Sequence, residues 1–154
     1  MKVLMVCLGN ICRSPMAEGI LRARAAERGH VVRTDSAGTS ANHVGEAPDP
    51  RAQAAMRKQG MDISDLRARQ FRCADLDAYD HIFVMDRSNL DDVLALAGGA
   101  RHRCKVRLMM DVLPSPDRID VPDPYFGGDA GFDAVFHQLD AAINHFLDGI
   151  EGHG

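Results

Sequence analysis

The residues with the clearest capacity for chemistry lie near the start of the chain, in the segment Cys7-Leu8-Gly9-Asn10-Ile11-Cys12-Arg13-Ser14. Cys7 offers a nucleophilic sulfur, and Arg13, six positions later, offers a planar guanidinium that matches two oxygens of a phosphate. Such a pair often occurs by chance, so its meaning depends on its surroundings. Gly9 and Asn10 tolerate left-handed backbone conformations, and Pro15 suits the first turn of a helix. The segment therefore predicts a tight loop that holds a tetrahedral anion over a sulfur nucleophile.

A tight loop at the start of a helix would also activate the sulfur of Cys7. Backbone N–H groups that point into such a loop bind anions, and cysteines in this setting have a pKa of roughly 3.5–7.5 instead of about 8.5. Ser14 follows the arginine and can donate a further hydrogen bond to the sulfur. The pattern of an ATP-binding loop, G-x-x-x-x-G-K-[ST], does not occur in the chain. The segment thus favours phosphoryl transfer to sulfur.

Phosphoryl transfer to sulfur also requires a group that protonates the departing oxygen. The candidate is Asp123, which ends the proline-rich segment 114–124 and precedes Tyr125 and Phe126. A carboxyl beside an aromatic pair can be partly desolvated, which favours the protonated form that a general acid needs. The same residues also fit an Asp-Pro turn that leads into a final helix with its aromatic rings in the core. The residues alone support both interpretations.

The composition is that of one globular domain. A chain of 154 residues can bury a hydrophobic core, and a net charge of −4 argues against a nonspecific nucleic-acid binder. The apolar start, residues 3–8, is too short for the core of a signal peptide or for a membrane span, so we expect a cytoplasmic protein with reduced cysteines. No C-x-x-C pair predicts a zinc site. We expect Cys73 and Cys104 to be buried as small hydrophobic residues.

Segments typical of strands and helices alternate along the chain. The strand candidates are residues 3–6, 31–35, 82–85 and 106–109. The helix candidates are a segment from Pro15 to Gly29, residues 50–59, residues 89–97 with Ser88 as the cap, and a final helix with an apolar stripe from Phe132 to Ile150. This alternation predicts a three-layer α/β fold, a parallel sheet with helices on both faces. Ligands bind such sheets beyond the carboxyl ends of the strands, where Cys7 would lie.

Along nearly its whole length the chain resembles the low-molecular-weight protein tyrosine phosphatases. The first match is CLGNICRSPMAE, which is very close to the phosphate-binding signature of that family. The later matches follow in the family's order: DSAGT (35–39), PDPRA (48–52), ARQ (68–70), VMDRSNL (84–90) and DPYFG (123–127). The resemblance implies a single phosphatase domain over residues 1–150, with a frayed tail at 151–154. It also implies a four-stranded parallel sheet in the flavodoxin-like order 2-1-3-4, and no metal or organic cofactor.

The resemblance also assigns catalytic roles. Cys7 would attack phosphorus and form a cysteinyl-phosphate, and Arg13 would bind the phosphoryl oxygens. Asp123 would protonate the leaving oxygen and then activate the water that hydrolyses the intermediate. Ser14 would support the thiolate, and Asn10 would hold the shape of the loop. The other members of the phosphate-binding loop would be Leu8, Gly9, Ile11 and Cys12.

Cys12 has a second role implied by the resemblance, because in this family the cysteine before the arginine forms a disulfide with the nucleophile under oxidation. Such a disulfide protects the nucleophile from irreversible oxidation and switches activity off reversibly. The residue can also be no more than a small side chain that fits the loop.

The substrate cleft is where this chain departs from its relatives. Tyr125 would form one wall, and Phe126 stands where many relatives carry a second tyrosine. Family members often place an aromatic residue on the opposite lip, but residues 38–48 contain no tryptophan or tyrosine. Asn42 and His43 occupy that region instead, so the second wall of the cleft is in doubt.

The expected substrates are phosphotyrosine-containing proteins and small aryl phosphates. A cognate tyrosine kinase would be a partner, and oxyanions such as phosphate would inhibit. Neither nucleic acid nor a membrane is an expected partner.

Other activities remain open on the same loop. A protein arginine phosphatase typically carries threonine where this chain has Ile11, whose apolar side chain suits an aryl ring better. An arsenate reductase of this fold needs a close pair of further cysteines, whereas Cys73 and Cys104 are 31 positions apart. A non-catalytic phosphate-binding module would need neither the thiol nor the acid, and a flavin carrier would need a wider loop.

Overall fold

The computed structural model describes residues 1–114 and 119–152, and it has a four-stranded parallel sheet at its centre. The strands are β1 (Lys2–Cys7), β2 (Arg33–Gly38), β3 (His81–Val84) and β4 (Val106–Leu108). Their order is β2-β1-β3-β4, with every neighbouring pair parallel, which confirms the predicted order 2-1-3-4. Residues 3–7 of β1 are all buried, as the continuous apolar run requires for a strand covered on both faces.

Helices cover both faces of the sheet, which confirms the three-layer α/β prediction. They are α1 (Arg13–Glu27), α2 (Pro50–Lys58), α3 (Asp75–Ala78), α4 (Arg87–Leu94), α5 (Ala100–Arg103) and α6 (Asp129–Gly152), with a 3-10 helix at Met109–Val112. Val3 and Met5 pack with α1, α2 and α6 in one hydrophobic cluster. Leu4 and Val6 point to the other face and pack with buried residues of α3 and α4. Within residues 1–114 and 119–152, no helix combines the length and apolar character needed to cross a membrane.

Several predicted boundaries are wrong by a few residues. Strand β2 occupies 33–38 instead of 31–35. Helix α4 begins at Arg87, because the carboxylate of Asp86 accepts a hydrogen bond of 2.8 Å from Asn89 N and caps the helix in place of Ser88. The short helices α3 and α5 were not predicted, since four residues are too few to show a helical period. Helix α6 continues through residue 152, and the rest of the predicted frayed tail lies outside the described residues.

The prediction for Cys73 and Cys104 is wrong, because both side chains are exposed. Cys73 precedes α3, and its sulfur donates to Leu96 O at 3.5 Å. Cys104 follows α5, and its sulfur donates to Arg101 O at 3.2 Å. Both cysteines lie beside short surface helices and away from the hydrophobic core. Neither side chain is therefore buried, despite the general preference of cysteine for burial.

The parallel register brings several loops to one edge of the sheet. Cys7, the last residue of β1, is paired with Gly38, the last residue of β2. Val84, which ends β3, is paired with Val6. The loops that leave these strands therefore meet at the carboxyl edge, where the topology predicts a site.

Candidate active site

The loop between β1 and α1 wraps around the sulfur of Cys7. Asn10 N donates to Cys7 Sγ at 3.3 Å, and Ser14 Oγ lies 3.0 Å from the same sulfur. Asn10 Nδ2 donates to Ser14 Oγ at 2.8 Å, so the hydroxyl keeps its own proton for the sulfur. Two donors therefore converge on one sulfur, in the arrangement that stabilises negative charge there.

Asn10 holds this loop in an unusual conformation. Its φ of 58° is the one positive value at a non-glycine residue in the described ranges. Asn10 Oδ1 accepts a hydrogen bond of 3.0 Å from Arg69 N. The guanidinium of Arg69 is in turn paired with Asp35 at 3.1 Å and with Asp75 at 3.0 Å. The side chain of Asn10 is thus fixed from both ends, which offsets the cost of a left-handed residue.

Gly38 lets the end of β2 approach the loop closely. A Cβ at this position would lie 2.8 Å from Leu8 O and 3.2 Å from Asn10 Cβ, which is too close for any other residue without a backbone shift. The chain after Gly38 continues the contact, since Thr39 N donates to Cys7 O and Ser40 N donates to Leu8 O, both at 2.9 Å. The loop is therefore supported by backbone along its outer side.

Arg13 is buried, with 3% of its side chain exposed, and is fixed by acceptors from two other segments. Its Nη1 donates to Asp86 Oδ2 at 2.7 Å and to Val121 O at 2.9 Å. Burial disfavours the charged guanidinium, but the negative charges of Cys7 and Asp86 outweigh this effect and raise the pKa of Arg13 above its ordinary value. Arg13 is therefore a permanent cation held in a set orientation.

Asp123 lies on the opposite side of the guanidinium. Its Oδ2 is 3.8 Å from Arg13 Nη2, and its Oδ1 accepts a hydrogen bond of 3.0 Å from Tyr125 N. The rings of Tyr125 and Phe126 are perpendicular, with centroids 5.0 Å apart. Phe126 is 91% exposed and Tyr125 39% exposed, so the interpretation that placed these rings in the core is wrong. The carboxylate and the aromatic pair belong to the site.

These residues surround one cleft of about 160 Å³. Pockets that bind drug-sized ligands measure roughly 300–1,000 Å³, so this cleft is small for an organic cofactor. The lining residues include eleven predicted site residues and Ser40, which was not predicted: Cys7, Leu8, Gly9, Ile11, Cys12, Arg13, Ser40, Asn42, His43, Asp123, Tyr125 and Phe126. The other two predicted residues, Asn10 and Ser14, contact the sulfur from beneath the cleft.

His43 stands opposite Tyr125 across this cleft. The two ring centroids are 6.4 Å apart, with the planes tilted by 48°. His43 Nδ1 lies 3.0 Å from Glu46 Oε2, which orients the ring, and its Cδ2 would be 3.0 Å from a Cβ at Gly9. Asn42 also lines the cleft but is exposed. The imidazole therefore lines the cleft on the side opposite Tyr125.

Cys12 is buried at the other end of the loop, with 4% of the residue exposed. Burial, and after it the charge of Asp49, raises the pKa of Cys12 well above its ordinary value. Burial therefore favours the neutral thiol of Cys12 over its thiolate. Both cysteines are free.

Three charged residues of the site were missed by sequence reasoning. Asp86 and Asp49 each precede a predicted helix, so the preference for aspartate at helix caps could have identified them. Arg51 carries no such signal. Across residues 1–114 and 119–152, no cluster of three or more His, Cys, Asp or Glu side chains is arranged to hold a metal ion.

Comparisons of sequence and of structure both relate this chain to known phosphatases. The family model described as low molecular weight phosphotyrosine protein phosphatase matches residues 2–153. A putative low molecular weight protein-tyrosine-phosphatase of Synechocystis is 42% identical, over 96% of this chain and 94% of its own length. A tyrosine phosphatase structure from Entamoeba histolytica has a TM-score of 0.93 at 33% identity, covering 99% of this chain and 98% of that one. A structure described as a Drosophila arginine phosphatase has a TM-score of 0.91 at 34% identity, covering 97% and 98%.

Proposed function

This chain belongs to the low molecular weight phosphotyrosine protein phosphatases, and from that premise we propose that Cys7, Arg13 and Asp123 carry its catalysis. The family consists of hydrolases that act on phosphotyrosine through a cysteinyl-phosphate, so the chain is a protein-tyrosine-phosphatase with phosphoproteins as substrates. The observation that supports the assignment of residues is the convergence of Cys7 Sγ, the Arg13 guanidinium and the Asp123 carboxyl on one small cleft.

In the first step, Cys7 Sγ attacks phosphorus, an S–P bond forms and the bond from phosphorus to the tyrosine oxygen breaks. The carboxyl of Asp123 gives its proton to that oxygen and becomes a carboxylate. Since Asp86 and Val121 O already occupy Nη1 of Arg13, Nη2 and Nε of the guanidinium bind the phosphoryl oxygens. The fixed donors stabilise the charge of the transition state without reorganising.

In the second step, the Asp123 carboxylate takes a proton from water while the water oxygen attacks phosphorus. The S–P bond breaks, its electron pair returns to Cys7 Sγ, and phosphate leaves. Asn10 N and Ser14 Oγ support the sulfur as it regains negative charge. The product occupies the same loop as the substrate, so phosphate and similar oxyanions should inhibit competitively.

The walls of the cleft support an aryl phosphate as substrate. Tyr125 and His43 face each other across the opening, and Ile11 contributes apolar surface between them. The likeness to the Drosophila arginine phosphatase favours phosphoarginine as a second candidate substrate. We also propose that the protein is cytoplasmic and that a tyrosine kinase supplies its phosphorylated substrates.

The test is phosphate release from p-nitrophenyl phosphate, phosphotyrosine and phosphoarginine, with wild type and Cys7→Ser side by side. We expect wild type to hydrolyse both aryl esters and Cys7→Ser to hydrolyse neither. Equal turnover by the two proteins would exclude Cys7 as the nucleophile. A preference for phosphoarginine would keep the nucleophile and replace the substrate class.

A further inference from the structure

Arg51 lies beside the cleft, at the point where α2, the segment 123–128 and α6 meet. Its Nη2 donates to Tyr125 O at 2.9 Å, and its Nη1 donates to Gly127 O at 3.1 Å. The guanidinium also covers the ring of Phe132, the buried residue near the start of α6, at 4.7 Å, and faces the ring of Tyr125 at 5.6 Å. One side chain therefore holds the segment that carries Asp123.

The opposite end of this connection is the phosphate-binding loop. Asp49 accepts hydrogen bonds from Arg51 Nε at 3.1 Å and from Nη2 at 3.0 Å, and the backbone N–H of Asp49 donates to Ile11 O at 2.8 Å. The pairing with Arg51 lowers the pKa of Asp49, so the carboxylate stays charged. A continuous path thus runs from Ile11, which lines the cleft, through Asp49 and Arg51 to Tyr125.

The segment 123–128 has few other supports. Phe126 is almost fully exposed, and the hydrogen bonds from Tyr125 N to Asp123 and from Gly127 N to Pro124 O are local. In the described part of the chain, the hydrogen bonds that reach the carbonyls of residues 124–127 from another segment come from Arg51. Apart from the contact of Asp123 with Arg13 and the burial of Pro124, Arg51 is therefore the main support of the residues that directly follow Asp123.

We propose that Arg51 is a positioning residue for the general acid, which it acts on through the backbone of residues 125 and 127. The planar fork of arginine spans two carbonyl oxygens and a carboxylate at once, and the single ammonium of a lysine does not reproduce that geometry. A misplacement of about 1 Å costs roughly 10²-fold in rate. The inference rests on the proposed roles of Cys7 and Asp123, and it adds a residue that touches neither the substrate nor the sulfur.

Leaving-group dependence separates this role from a structural one. Phenyl phosphate releases a basic oxygen that needs the acid, whereas 2,4-dinitrophenyl phosphate releases an oxygen that needs no proton. We expect Arg51→Ala to lower kcat/KM for phenyl phosphate by about ten-fold or more, with a change of less than about three-fold for the dinitrophenyl ester. Asp123→Asn should show the same selectivity more strongly. Arg57→Ala, on the exposed side of α2, is the matched control and should change neither value.

Two variants keep the test decisive. Arg51→Lys keeps the positive charge but not the planar fork, so we expect kcat/KM to fall for phenyl phosphate and not for the dinitrophenyl ester, as in Arg51→Ala. If thermal unfolding shows that Arg51→Ala does not fold, Arg51→Lys replaces it in the test. Equal loss on both esters, or full wild-type behaviour of Arg51→Lys, would overturn the positioning role. Selectivity in Asp123→Asn without selectivity in the Arg51 variants would overturn only this inference. Failure of Asp123→Asn itself would remove the proposed acid and this inference with it.

Discussion

Arg13 Nη1 lies 2.7 Å from Asp86 Oδ2, so a carboxylate orients the guanidinium that we propose as the phosphate-binding cation. The other oxygen of the same carboxylate accepts from Asn89 N and caps α4. Asp86 is therefore fixed by a helix, and Arg13 is fixed by Asp86. Preorganised charge of this kind stabilises a transition state without a cost of reorganisation at the moment of reaction.

Replacement of Asp86 by asparagine should weaken catalysis while the helix cap survives, because asparagine also caps helices well. A hydrogen bond to a charged group contributes about 1.5–3 kcal/mol, so we expect kcat/KM for p-nitrophenyl phosphate to fall by roughly 10–100-fold and inhibition by phosphate to weaken. Asp120→Asn is the control, since Asp120 pairs with the exposed Arg87 at 3.1 Å. Wild-type kinetics in Asp86→Asn would show that Arg13 needs no such support.

Oxidation tests the role of Cys12. We expect mild peroxide to inactivate wild type by a Cys7–Cys12 disulfide, in which two thiols are oxidised and peroxide is reduced to water, and dithiothreitol to restore activity. In Cys12→Ser the sulfenic acid of Cys7 has no resolving thiol, so a second peroxide should oxidise it to the sulfinic acid and release water, a loss that dithiothreitol does not reverse. Cys73→Ser removes an exposed cysteine and should recover as wild type does. Full recovery of Cys12→Ser would remove the protective role.

Gly38 should not tolerate a side chain. A methyl group there would press on Leu8 O at 2.8 Å, and overpacking of this kind costs about 1–3 kcal/mol. We expect Gly38→Ala to lower both the free energy of unfolding in urea and kcat for p-nitrophenyl phosphate. Gly149→Ala, in α6 with open space around its Cβ, should leave activity unchanged and stabilise slightly. Unaltered stability and kcat in Gly38→Ala would mean that β2 can move away at no cost.

Glu18 predicts a pH dependence of stability. Its carboxyl is buried and accepts a hydrogen bond of 2.7 Å from Ser36 Oγ, and burial raises its pKa above the ordinary value. A carboxyl with a raised pKa stabilises the fold below its ordinary pKa of 4.5, and that stability is lost as the pH rises through the value in the folded protein. Wild type should therefore lose stability between pH 4.5 and pH 7.5 through this carboxyl, whereas the glutamine of Glu18→Gln does not titrate. The free energy of unfolding of the variant minus that of wild type should increase over this range.

The measurement for Glu18 is urea unfolding at both pH values, with Glu27→Gln as the control on the exposed side of α1. The control should follow the wild-type curve. Parallel curves for wild type and Glu18→Gln would show that burial does not perturb this carboxyl.

The alternation of strands and helices was predictable because it depends on local sequence signals, whereas the strand order came from the resemblance to the phosphatase family. The apolar run of β1, and Gly9 and Asn10 in the loop after it, together predict a parallel strand followed by a tight turn. The contacts of Arg13 with Asp86 and Val121 were not predictable, because they join segments that only tertiary packing brings together. The position of Arg51 depends on packing in the same way.

The errors in the sequence analysis also occur where tertiary packing decides the outcome. Ser88 and Asp86 are both plausible caps for α4, and the choice falls on Asp86, whose carboxylate also binds the guanidinium of Arg13. Cys73 and Cys104 were assigned to the core from residue preference alone. Their exposure follows from short surface helices that have no periodic pattern.

The interior position of β1 has a consequence for biosynthesis. Strand β1, which carries Cys7, is translated before the other strands, yet its neighbours in the sheet are residues 33–38 and 81–84. The hydrogen bond from Arg13 to Val121 O forms only after Val121, 108 positions later, has been translated. Contacts between distant segments form slowly, because loop closure must precede them. A nascent chain therefore carries Cys7 and Arg13 before the contact that fixes the guanidinium and before the proposed acid Asp123 have been made. On the proposed assignment, catalytic competence arrives only after residues 121–123 have been translated.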